Sequence, residues 1–198
     1  MTAVPFVGLT GGMGAGKSTA LKALQELGAQ VLSTDAVVHE LYGDERVRDA
    51  VVERWGEEVA PGGVVDRAAV AAKAFAGGEQ GRRWLEGLLW PLVGARIAGW
   101  LEHVRALQPA PKAAVVEVPL LFEAGMEGGF DATIAVVAQE EARRRRADGR
   151  GHALADERAA RQLTQEEKAE RATFVVPNDG SVEDLRRELA EVLAKLSG

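Results

Sequence analysis

This sequence predicts an α/β fold, a parallel sheet with helices on both faces. Three observations predict it. Short apolar runs rich in Val alternate with longer stretches of helical period. A glycine-rich loop stands directly between the first apolar run and the first helical stretch. The length of 198 residues suits one domain with an inserted helical part, and 46% hydrophobic residues supply a core.

The first apolar run covers residues 4–9 and reads as a buried parallel strand. A helix over residues 17–27 follows, with Gly28 where a C-terminal capping glycine belongs. Residues 30–33 read as the second strand, and Asp35 lies just past its end. From residue 36 to about 105 the pattern is mostly helical, broken by the turn signals Pro61-Gly62-Gly63 and Gly77-Gly78. Trp84, Leu85, Leu88, Leu89, Leu92 and Val93 recur at helical spacing and predict an apolar face. Residues 113–118 and 133–138 are the third and fourth strands, and a basic helix is expected over residues 143–150. A polar helical stretch runs on to Arg171. Residues 174–176 give a fifth strand, Asn178-Asp179-Gly180 a turn, and Ser181 with Asp184 a capping pair for a last amphipathic helix to Leu196.

Composition removes several classes of function. The chain has no cysteine, so disulfides and thiolate metal sites are excluded. A net charge of −6 argues against a nucleic-acid-binding surface, and any anion site has to be built locally. No apolar run is long enough for a membrane span, and residues 1–7 lack signal-peptide character, so a cytoplasmic protein with no membrane partner is expected. No exposed apolar stripe calls for a partner, and a monomer is the expectation. The histidines, at positions 39, 103 and 152, do not pair with carboxylates at metal-ligand spacing.

Gly11-Gly12-Met13-Gly14-Ala15-Gly16-Lys17-Ser18 matches G-x-x-x-x-G-K-[ST] in the context that pattern requires. Glycines let backbone N–H groups turn inward onto phosphate, and the helix N-terminus adds partial positive charge. In such a loop Gly12 to Thr19 form the ATP cradle, Lys17 contacts the β- and γ-phosphates, and the Ser18 hydroxyl meets Mg²⁺. ATP and Mg²⁺ are the cofactors this implies.

A phosphate loop serves kinases, switches and motors alike. No Asn-Lys-x-Asp guanine reader and no Leu-Ser-Gly-Gly-Gln signature occurs. Two features favour a small-molecule kinase. Asp35, at the C-terminal end of the second strand and expected beside the phosphate loop, suits a proton acceptor for an attacking hydroxyl, and equally an N-cap for the next helix. The run Arg143, Arg144, Arg145, Arg146 with Arg150 and Arg158 suits either a cationic lid or a solvated face, and Arg146 and Arg150 share a helix side. A nucleotide-dependent switch and another metabolite or nucleoside monophosphate kinase are the competing readings.

Together these segments resemble bacterial dephospho-CoA kinases. The similarity begins with residues 7–19 and continues through Ser33-Thr34-Asp35 with His39-Glu40-Leu41, Asp66-Arg67 with Phe75-Ala76, and Trp84-Leu85 through Pro91-Leu92. It extends to Val118-Pro119-Leu120-Leu121-Phe122-Glu123, Arg158 with Gln162, and Asn178-Asp179-Gly180. The resemblance implies ATP-dependent phosphorylation of the ribose 3′-hydroxyl of dephospho-CoA, giving CoA and ADP. It implies a P-loop kinase-like three-layer fold with a five-stranded parallel sheet, a helical substrate-binding insertion and a helical lid. The core would comprise residues 1–35, 109–138 and 172–198, the CoA-binding region 36–108 and the lid 139–171. Asp35 takes the catalytic-base position, with Lys17, Arg146 and Arg150 as the catalytic cations. Asn178 and Gly180 fall near the adenine of ATP, and Pro119, Leu120, Leu121, Arg158 and His39 on the acceptor side. This chain departs from the family at Trp90, where His is usual, and at Ser33-Thr34, which leaves Asp35 the only carboxylate of its block. Packing within the helical part is the expectation for Trp90 and for Trp84.

Overall fold

The computed structural model describes residues 4–147 and 162–196, without the side chains of residues 144–147. The chain divides into two compact units, residues 1–33 with 101–198 and residues 34–100.

The first unit is built on five strands: β1 (Phe6–Gly11), β2 (Gln30–Ser33), β3 (Ala114–Glu117), β4 (Ala132–Val137) and β5 (Phe174–Pro177). They form one sheet in the order β2-β3-β1-β4-β5, every pairing parallel. Parallel neighbours require a crossover between successive strands, and helices supply it. The strand expectations hold to within two residues at each end.

Alternation along the strands separates the faces. Val7, Leu9, Val115, Ile134 and Val136 join one buried cluster with Ala20, Ala23 and Leu24 of α1 (Lys17–Glu26) and Leu185, Leu189 and Leu193 of the C-terminal helix Val182–Leu196. These side chains are sealed from water, and their transfer from solvent drives the layer together. On the opposite face a Cβ at Gly8 would stand 2.5 Å from Leu121 Cδ1, so the missing side chain lets Leu121 seat directly on β1.

Both expected caps form. Gly28 has φ +100°, a conformation L residues rarely adopt, and the Ala29 N–H returns to Leu24 O at 3.0 Å. Ser181 N–H and Oγ donate to Asp184 Oδ2 at 3.0 and 2.7 Å, and Asp184 N–H donates to Ser181 Oγ at 3.1 Å. The Ser181 bonds, with the Arg187 guanidinium, hold the Asp184 carboxyl down to about 2.

The second unit contains α2 (Thr34–Leu41), α3 (Glu45–Trp55), α4 (Arg67–Ala76) and most of α5 (Gly78–Ala106). Short 3₁₀ turns at Glu57–Val59 and Pro61–Gly63 occupy the expected break. Asp44 and Asp66 cap α3 and α4 by accepting backbone N–H bonds. Val51, Val59 and Val70 are fully buried, with Trp55, Trp84, Leu85 and Leu88 packed against them. Trp84 meets Trp55 edge-on at 4.9 Å, as its packing expectation requires. Trp90 corrects the same expectation: it is 54% exposed, because it falls on the solvent side of α5.

Candidate active site

The phosphate loop leaves the C-terminal end of β1 and enters α1 at Lys17. Gly14 has φ +73°, and a Cβ there would lie 2.5 Å from the backbone oxygen of Arg143. Only glycine combines that left-handed turn with so close a neighbour. Lys17 Nζ donates to Gly11 O at 2.9 Å and Gly12 O at 3.1 Å, which holds the ammonium curled over the loop. Ser18 and Thr19 are exposed in the first turn of α1.

Three elements brace the loop from outside. The buried Asn178, just past β5, donates Nδ2–H to Ala15 O at 2.8 Å. Its neighbour Asp179 accepts from Gln139 N–H at 2.5 Å, tying this turn to the end of β4. Arg143, in α6 (Glu140–Ala147), donates Nε–H to Met13 O at 2.9 Å, and its Nη2 would lie 3.3 Å from a Cβ on Gly12. A cavity of about 630 Å³ opens here, lined by Gly12, Met13, Gln139, Arg143, Thr164 and Asp179 among others. Gln165 fixes its wall by pairing with both the N–H and the carbonyl of Ala138, at 2.9 and 2.7 Å. Nucleotide-sized ligands occupy cavities of this scale.

The sheet order corrects one expectation. β3 lies between β1 and β2, so Asp35 does not follow the strand next to the phosphate loop. The segment in that place is the end of β3 with the Pro119-Leu120-Leu121 turn. Thr34 is already the first helical residue of α2, so Asp35 sits exposed within the first turn and is not its N-cap. His39 is exposed on the last turn of the same helix. Gly180 is exposed beside Asn178. Arg150 and Arg158 lie outside the described residues, as does the side chain of Arg146.

Sequence reasoning missed Glu117. Residue parity puts it with Ala113 and Val115 on the α1 face of β3, opposite Leu9 of β1 and at the loop end of the sheet, and it is 8% exposed. A single acidic residue closing a Val-rich strand was a readable signal. Arg143 was visible only as one of a run, and nothing in the sequence selects it as the member that meets the loop.

This fold and loop define a P-loop kinase. Residues 5–184 match the dephospho-CoA kinase family model, and the chain belongs to that family. A dephospho-CoA kinase of Deinococcus radiodurans is 39% identical, covering 96% of this chain and 91% of that protein. One from Thermus thermophilus is 37% identical, covering 98% and 92%. The crystal structure of TT1252 from Thermus thermophilus superposes with a TM-score of 0.80 at 35% identity over the whole of both chains. A shikimate kinase from Bacteroides thetaiotaomicron, 16% identical with a TM-score of 0.53 and each chain fully covered, shares the fold.

Proposed function

We propose that this chain transfers the γ-phosphate of ATP directly to the ribose 3′-hydroxyl of dephospho-CoA, releasing CoA and ADP at the last step of coenzyme A synthesis. The observation that carries the reading is the family match across residues 5–184, which spans the phosphate loop and the Pro119 turn in one chain. We take the protein to act as a cytoplasmic monomer; among the described residues no helix is long and apolar enough to cross a membrane.

Phosphoryl transfer asks a protein mainly to position the two substrates and to offset charge on the moving group. The loop amides and the Lys17 ammonium do the second task at the β- and γ-phosphates. Arg143 adds a cation at the loop's outer rim, with Arg146 and Arg150 as the further cations of its helix. Asn178 and Gly180 shape the adenine side. Asp35 accepts the proton of the 3′-hydroxyl as the new P–O bond forms. His39, Arg158 and the Pro119-Leu120-Leu121 turn hold the acceptor, and the helical region 36–108 supplies its wider binding surface.

The donor set suits Mg²⁺ arriving with the nucleotide. Among the described residues no three His, Cys, Asp or Glu side chains are grouped to hold a metal ion. The Ser18 hydroxyl and the Glu117 carboxylate would leave the other positions to phosphate oxygens and water, as Mg²⁺ prefers. When bound, the ion would supply positive charge to offset that of the transferring phosphates. Glu117→Gln is expected to raise the Mg²⁺ concentration for half-maximal rate about 10-fold. Nucleotide affinity measured without Mg²⁺ stays at the wild-type value. An unchanged Mg²⁺ requirement removes Glu117 from the site.

The test of function is ADP release with Mg·ATP and a panel of acceptors: dephospho-CoA, AMP, CMP, shikimate and none. Release that depends on dephospho-CoA is expected. Release that depends on another acceptor overturns the substrate, and tight nucleotide binding without acceptor-dependent release indicates a switch.

A further inference from the structure

A fully buried lysine lies on the sheet face opposite α1, in a place the chemistry above does not use. Lys168 belongs to the helix Gln165–Arg171, whose N-terminus is fixed by a reciprocal capping box between Thr164 and Glu167. Its ammonium lies 2.8 Å from Glu123 Oε1, donates to Pro119 O at 2.9 Å and approaches Thr10 Oγ1 at 3.4 Å. An ammonium has three N–H donors, and here each has an acceptor. Glu123 Oε1 also accepts from Leu163 N–H at 2.8 Å. Thr10 Oγ1 itself donates to Pro119 O at 3.3 Å.

We propose that Lys168 and Glu123 are positioning residues for phosphoryl transfer, holding the Pro119 turn in fixed register with the strand that delivers the phosphate loop. The inference rests on the proposed function for its kinetic consequence but not for its structural one. Thr10 immediately precedes Gly11, the first residue of the loop, and Pro119 opens the acceptor turn. One ammonium therefore joins the donor side to the acceptor side. The same helix grips the turn's far end, where Arg171 pairs with Glu127 and stacks over the Phe122 ring at 5.0 Å. Packing alone does not call for this arrangement. A buried ion pair is often replaced by apolar side chains of similar volume without loss of stability, because desolvating two charges cancels much of their attraction. Apolar replacements cannot donate to the Pro119 carbonyl or Thr10, and a shift of about 1 Å in substrate placement can cost roughly 100-fold in rate.

The test compares Lys168→Met, the double variant Lys168→Met/Glu123→Leu, and Thr10→Val, which keeps the ion pair and cuts only the link to β1. Melting temperature, kcat, KM for each substrate and amide hydrogen exchange over residues 120–126 are measured. Lys168→Met strands a buried carboxylate and should lower the melting temperature. The double variant should regain it, yet keep kcat about 10- to 100-fold low and KM for dephospho-CoA raised, with KM for ATP little changed. Exchange at Ala124 and Met126, whose N–H groups bond back to Leu120 O and Leu121 O, should quicken. Thr10→Val should lower kcat several-fold, with a smaller fall in melting temperature than Lys168→Met. A double variant with wild-type kcat and exchange overturns the proposal, as does a Thr10→Val protein with wild-type values of both. A wild-type protein inactive on dephospho-CoA refutes the function instead, and equal exchange in wild type and double variant still overturns the positioning role.

Discussion

Asp35→Asn is expected to lower turnover by about 10²- to 10⁴-fold, the range that a positioned proton acceptor contributes. Nucleotide affinity should stay at the wild-type value. Asn has nearly the shape of Asp and keeps the same exposed place in the first turn of α2, so the exchange removes the basic oxygen and little else. Asp35 is exposed and stands two residues past the end of β2, so no buried network depends on it. Steady-state turnover, paired with titration of a non-hydrolysable ATP analogue, separates the two effects. Unchanged turnover in Asp35→Asn removes Asp35 from the chemistry.

Lys17→Met should reduce kcat by roughly 10²- to 10³-fold, the loss measured when one preorganised donor to a developing charge is removed. It should weaken ATP binding as well, since the ammonium meets the phosphates in the ground state too. The fold should survive. Lys17 donates to carbonyls of its own loop, while Asn178 and Arg143 brace that loop from other elements. Circular dichroism and the melting temperature check this, and rapid-quench measurement of a single turnover reads the chemical step. A Lys17→Met protein that keeps its single-turnover rate would show that the phosphates are held elsewhere.

The sheet was legible because its strands are short Val-rich runs and because Gly11 to Ser18 ties the first of them to a helix. Gly28 and Ser181 were legible because capping is local chemistry, decided within a few residues. The strand order was not, since pairing of β3 between β1 and β2 is settled by contacts more than 80 residues apart in sequence. That order set the Pro119 turn, and not the end of β2, next to the phosphate-loop strand. Trp90 shows the same limit on a helix: the apolar spacing marked a face but not how far around α5 the packing extends. Lys168 reads in sequence as one more surface cation of a polar helix. Its burial follows only from the arrival of Glu123, Pro119 and Thr10 from separate strands and turns.

Direct transfer to the 3′-hydroxyl is tested most sharply by phosphorus NMR and mass spectrometry of the product made from dephospho-CoA and ATP labelled with ¹⁸O in the γ-phosphate. The expected result is a new phosphomonoester coupled to the ribose 3′-proton, carrying the label, with ADP formed in equal amount. A label found only in inorganic phosphate, or a phosphomonoester at another hydroxyl, would contradict it.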